Sequence, residues 1–512
     1  MVSGTSSHRE QLMKSFWQCL ELTEEEAGSC RITVLKLILQ YIDCRSISFS
    51  HFLLGYPLQA PLSSASLQDP GILNAPKTVL HALLALLSSS DDDENEELLE
   101  LGYETIYRLC SNTETSAPVL RYLRSTYDFV FDRLQGFKEP LEEISVEKLR
   151  SIGWLLKLSA LELHCTNQAK QRSITARLVQ LILQRGDVRR IGQTKNTTLT
   201  IGELSALGAD HSTSLAIMSM FRVLDLTDAY PEPPNFDLLD IGVVEQLATQ
   251  SKEDGVINLL KVHNSLQGEL TSQVDSNGQI PARLEAEVTE VLRWLQRINI
   301  NQKLTIAKVH FLEGWRQLLE VCIAGPMDIV PGAVRVSILQ EILQEILSCV
   351  NRPESMTSLT SMLSTLAMAI MTHLRMSLKQ QQDPNALHET SSATFLDGTL
   401  SEMTATPIIP SSTLLPSIGE GLIQWAIGAQ SQRVRSHLYA SLLNYFQLQP
   451  DFQGIQKRNS SLPIYIFSSN RHARFSAFQR YDRKFCAHFK LGREDFESIW
   501  NKHHANNLPR CR

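Results

Sequence analysis

What most constrains this chain is a helical hydrophobic period that runs, with short interruptions, from the first residues to about position 447. Leu284, Val288, Val291, Leu292, Leu295 and Ile298 share one helical face. Leu339, Ile342, Leu343, Ile346 and Leu347 repeat the pattern. The stretches 32–42, 79–87 and 152–163 are apolar on nearly every side, which predicts helices buried between neighbours. Asn74-Ala75-Pro76 and Ser116-Ala117-Pro118 read as helix openings, the second leading a helix over 119–134. Pro70-Gly71, Gly136, Pro140, Gly186, the prolines from 231 to 234, Gly325-Pro326 and Pro331-Gly332 mark breaks. About fifteen helical segments of mostly 12 to 22 residues result. Only 197–201 and 462–467 look strand-like.

At 512 residues the chain exceeds what one hydrophobic core serves. Many helices of similar length joined by short turns suit a stacked array, in which each hairpin covers its apolar face with the next. No ankyrin, armadillo or tetratricopeptide signature is present, so any repeat is degenerate. Two or three globular helical bundles are the competing arrangement. The expected class is all-α: an α-helical solenoid of stacked antiparallel helical hairpins with a loosely structured C-terminal tail.

Three segments depart from this texture. The acidic run 91–97 reads as a solvated loop leading into a helix N-terminus. Residues 380–417, rich in Ser and Thr with Pro384, Pro407, Pro410 and Pro416, read as a flexible insertion. After Pro450 the composition breaks: residues 451–512 carry 12 Lys+Arg against 5 Asp+Glu and hold 10 of the aromatic residues. The expected domains are a solenoid over 1–450 and a basic, aromatic, poorly ordered tail over 451–512.

Chemistry is sparse. The net charge of −7 gives no electrostatic case for general nucleic-acid binding. No H-E-x-x-H, P-loop, G-x-S-x-G or dinucleotide fingerprint occurs, and Gly419-Glu420-Gly421 is better read as a helix boundary. His81, His164, His310, His373 and His437 lie singly within helices, where structural roles predominate. Cys486, His488, His503, His504 and Cys511 match no zinc-ligand spacing. The tail's Arg471, Arg474, Arg480, Arg483 and Lys484, mixed with Phe475, Phe478, Tyr481 and Phe485, would suit single-stranded nucleic acid by stacking, although no RNA-binding motif frames them. Nine cysteines, none in a C-x-x-C pair, read as reduced, buried thiols of the cytosol or nucleus. The N-terminus lacks a signal-peptide core, and 78–87 and 359–374 are too short or too polar to span a bilayer. A soluble intracellular protein without catalytic, cofactor or metal residues is expected.

Leu53-Leu54-Gly55-Tyr56, the run from Ser63 to Gly71, and Pro76-Lys77-Thr78-Val79-Leu80-His81-Ala82 resemble the large inner-ring scaffold nucleoporins, the nucleoporin 205 and nucleoporin 192 family. The likeness continues through Tyr107-Arg108-Leu109-Cys110, 115–124, 154–172, Gly314-Trp315-Arg316-Gln317-Leu318 and 432–443. It covers most of 30–447 in colinear order and corresponds to an internal to C-terminal portion of longer family members. The resemblance implies an α-helical solenoid, a structural role at the nuclear pore complex of the nuclear envelope, and no enzymatic activity. It further implies partners among linker and adaptor nucleoporins of the nucleoporin 93 and nucleoporin 35/53 classes, with no small-molecule substrate or specific nucleic acid. A soluble helical-repeat transport receptor is the alternative on the same fold.

Overall fold

The computed structural model describes residues 6–22, 28–72, 75–88, 95–126, 128–136, 145–183, 231–237, 239–253, 255–270, 282–351, 357–382 and 415–448. Among them are sixteen α-helices, two short 3-10 turns and one two-stranded pairing of two residues each. The chain divides into two compact units: among the described residues, the first holds those up to Ile329 together with 357–359, and the second holds 330–351 and those from Thr360 onward.

The first unit opens with α1 (Ser6–Glu21), α2 (Gly28–Tyr41) and α3 (Phe49–Leu53). Next come α4 (Val79–Ser88), α5 (Glu96–Ser111), α6 (Ser116–Thr126), α7 (Phe129–Gly136), α8 (Val146–Gln168) and α9 (Arg172–Leu183). It closes with α10 (Ile241–Gln250), α11 (Leu259–Leu270) and α12 (Ala282–Ala324). Helices α2, α5, α8 and α12 form a row, each packed on the next. Contacts along the row advance together. Lys36 meets Glu97 and Asp43 meets Arg108; Glu100 meets Arg150 and Tyr107 meets Trp154; Lys157 meets Glu313 and Asn167 lies beside Gly325. All four helices therefore run parallel. In a bundle of sequential hairpins, neighbours alternate in direction; parallel equivalents in a row are the mark of a stack.

The second unit shows the principle more simply. It holds α13 (Gly332–Val350), the body of α14 (Thr357–Gln382), α15 (Pro416–Gly428) and α16 (Gln432–Leu448). Gln340, Gln344 and Asn351 of the α13 region bond Leu415, Ser417 and Gly421 in turn. Ser364 and Arg375 of α14 bond His437 and Asn444 of α16. The sequence separations of these pairs lie between 69 and 75 residues, so hairpin α13–α14 repeats as α15–α16 in one register. The fold class is an all-α solenoid.

Several local expectations change. Pro76 precedes its helix instead of opening it: α4 starts at Val79, and the Ala82 amide donates to the Thr78 carbonyl. Asn74 lies outside the described residues. The expected helix over 119–134 is two helices, separated where Asp128 adopts a φ of 45°, a left-handed conformation that aspartate tolerates better than most side chains. Helix α2 keeps Thr33, Lys36 and Gln40 exposed, so it is not buried all round. Helices α14 and α15 extend into the expected insertion as far as Gln382 and from Pro416; residues 383–414, like the tail from 449 and the strand-like runs 197–201 and 462–467, lie outside the described residues. Cysteines are less uniformly buried than expected: Cys110, Cys322 and Cys349 are buried, Cys19, Cys44 and Cys165 half-buried, and Cys30 exposed. No described helix is long and apolar enough to cross a membrane.

Candidate functional site

Segments that carry the family resemblance, far apart in sequence, meet in two interhelical joints of the first unit, and one of them, 432–443, forms a joint with α14 in the second.

The first joint surrounds Tyr56. Helix α3 begins in a reciprocal cap: the Ser48 hydroxyl accepts from the His51 amide at 3.3 Å, and the Ser48 amide donates to His51 Nδ1 at 3.1 Å. Gly55 then takes a φ of +97°, and a Cβ there would lie 2.9 Å from Thr78 Cγ2, so the position needs both glycine's freedom and its lack of bulk. The turn delivers Tyr56, 1% exposed, to donate its hydroxyl to the Thr115 carbonyl at 3.3 Å. Thr78 and His81 repeat the Ser48–His51 device. The Thr78 amide donates to His81 Nδ1 at 3.0 Å, and His81 Nε2 lies 2.9 Å from the Gln68 carbonyl. An amide can only donate and a carbonyl can only accept, so His81 is the neutral Nε2–H tautomer. Burial holds both histidines below the ordinary imidazole value. The Tyr122 hydroxyl completes the joint on Asp69 at 2.8 Å.

The second joint is the crossing of α8 and α12. A Cβ on Gly314 would fall 2.5 Å from the Gly153 carbonyl oxygen, and one on Gly153 would collide with the His310 ring. Two glycines thus set how closely the helices approach. Lys157, 7% exposed, donates to Glu313 at 2.7 Å, lies 3.4 Å from His310 Nδ1 and sits 4.9 Å from the Trp154 ring centroid. The Lys157 ammonium lowers the Glu313 carboxyl, while burial, and then Lys157, push His310 down to about 4. Trp315 beside it is fully buried. On the other side of α8, Arg124 grips Glu162 through two bonds of 2.5 and 3.0 Å. Burial raises the Glu162 carboxyl and Arg124 opposes it.

The third joint lies in the second unit, where His437 Nδ1 meets Ser364 Oγ at 3.0 Å and burial lowers its imidazole. Thus His81, His310 and His437 each contact a neighbouring segment through a ring nitrogen. Among the described residues no group of three or more His, Cys, Asp or Glu side chains is placed to hold a metal ion. Cys486, His488, His503, His504, Cys511 and the basic aromatic positions of the tail lie outside the described residues. Sequence reading missed the joint formed by Gly153, Lys157, His310 and Glu313. Its one visible signal was a glycine and a lysine inside an otherwise apolar helix.

The contacts in these joints tie each helix to its neighbours, which defines a class: a stacked helical array. The match to known proteins agrees. The chain fits the family described as nuclear pore complex scaffold, nucleoporins 186/192/205, over residues 3–487, and it belongs to that family. The match extends past 30–447 on both sides and crosses the compositional break near Pro450. It is similar to human nuclear pore complex protein Nup205, 29% identical over 493 residues covering 86% of this chain and 24% of that protein. It is also similar to Arabidopsis thaliana nuclear pore complex protein NUP205, 25% identical over 406 residues covering 71% and 22% respectively. The chain spans about a quarter of the length of these curated relatives.

Proposed function

We propose that this chain is a non-enzymatic structural component of the nuclear pore complex inner ring, at the nuclear envelope, that supports nucleocytoplasmic transport by binding other pore proteins. The observation that carries the reading is the register-locked stack of parallel helices in a chain of this family. A stack presents grooves between successive helices, and a short amphipathic helix can lay its apolar face into one. The partners in this reading are linker nucleoporins of the nucleoporin 93 class and adaptors of the nucleoporin 35/53 class, bound without metal or cofactor. Affinity would rest on a few aromatic or aliphatic anchors. Affinity purification of the tagged chain from nuclear-envelope extract is expected to recover inner-ring nucleoporins. Recovery of cargo alone, released by a nucleotide-bound GTPase, would overturn the scaffold reading in favour of a transport receptor. The same reading divides the chain near Pro450, and a chain ending there is expected to melt like the intact one.

A further inference from the structure

Cys19 stands in the last turn of α1 and Cys30 in the first turn of α2, and their sulfurs are 2.6 Å apart. The two sulfurs are in direct contact, within reach of each other for a disulfide. Both thiols are free, and Cys30 is exposed. We propose that Cys19 and Cys30 form an oxidation site, at which the two thiols close reversibly into a disulfide that staples α1 to α2.

The oxidant is a peroxide. Cys30, open to solvent, attacks the peroxide oxygen; its sulfur takes the hydroxyl as a sulfenic acid and the other oxygen leaves as water. The Cys19 sulfur then attacks Cys30, the S–S bond forms, and the hydroxyl departs with the Cys19 proton as a second water. The two thiols lose two protons and two electrons, and the peroxide takes them up as its O–O bond breaks to two waters. Burial, and then the bond to Cys30, hold the Cys19 thiol up at about 11, so the exposed Cys30 is the thiol that meets the peroxide first. By contrast Cys110 and Cys322 are buried, and burial drives their thiols up without an exposed neighbour in contact.

The consequence is positional. Helix α1 packs on α2 and α4, and α2 packs on α5. A bond between α1 and α2 prevents the first helix from leaving the stack alone.

The test uses the full chain and hydrogen peroxide, with remaining thiols capped by iodoacetamide before digestion with trypsin. Residues 15–31 form one tryptic peptide that contains both cysteines and no internal Lys or Arg. Oxidised chain is expected to yield this peptide uncapped and lighter by two hydrogens, returning to the doubly capped mass after dithiothreitol. Cys30→Ser, at an exposed position, abolishes the shift. Amide exchange in α1 should slow on oxidation of the unmodified chain and stay unchanged in the variant. A peptide that remains doubly capped, or that gains oxygen without losing the hydrogens, overturns the site. A linked peptide with unaltered exchange overturns the staple.

Discussion

Along α12, the stretch 284–298 lies in a core with α10, α11 and the hairpin Lys252–Glu253/Val256–Ile257, whereas 307–323 crosses α8. The buried members of the first core are aliphatic, apart from Trp294, which donates to the Pro231 carbonyl at 3.1 Å. The crossing is held by touching glycines, a buried lysine, a depressed histidine and a carboxylate. One helix therefore carries two kinds of packing. Aliphatic packing tolerates exchange among shapes of similar volume, while a glycine contact with a paired charge admits one register. The difference suggests that the stack's order is set at the crossing and its bulk stability is shared with the other core.

The strongest test of that contrast is Trp315→Ala, which removes a fully buried ring and is expected to cost about 3–5 kcal/mol in urea denaturation of the intact chain. If α12 joins the cores into one cooperative unit, hydrogen exchange should rise at 288–295 as well as at 311–319. Protection retained at 288–295 would separate the two cores. Leu295→Ala, in the aliphatic core and 1% exposed, should cost about 2–5 kcal/mol, and by the same amount at pH 7 and pH 5. No titratable side chain is among that core's buried members.

The crossing should respond to acid. His310 titrates near 6.5 when unperturbed but near 4 in the fold, so the unfolded chain takes up its proton first as pH falls. Its contribution is fully present above pH 6.5 and is lost as pH drops toward 4, by at most about 3 kcal/mol. His310→Gln should flatten the stability profile in that window; an unchanged slope would mean the loss comes from other groups. Gly314→Ala is expected to cost about 1–3 kcal/mol, because the new methyl meets backbone rather than a movable side chain. An unchanged melting temperature there would show that the helices can part without loss.

Periodicity placed the aliphatic half well. Leu284, Val288, Val291 and Leu295 are all buried, with Leu292 and Ile298 packed at the edge, as a single apolar face requires. Leu339, Ile342, Leu343, Ile346 and Leu347 are buried in the same way. The crossing was opaque for a physical reason: Lys157 is buried by Glu313, a partner 156 residues away that no local pattern reveals. Helix length was misjudged too, since α12 runs 43 residues where 12 to 22 were expected. Within it the Asn299 side chain accepts from the Ile257 amide and donates to the Ile257 carbonyl, each at 2.8 Å, acting as a third strand edge inside a continuous helix.

Helix α12 also has a mechanical meaning. It is about 65 Å of rod at the usual rise per residue. Helices bend sharply at proline, at glycine or at inserted side chains; this one has no proline, and its single glycine is clamped against α8. A pull or torque applied where α10 and α11 grip one end therefore reaches α8 at the other with no hinge to absorb it. Such a strut lets tension spread across the stack before any one helix pair gives way.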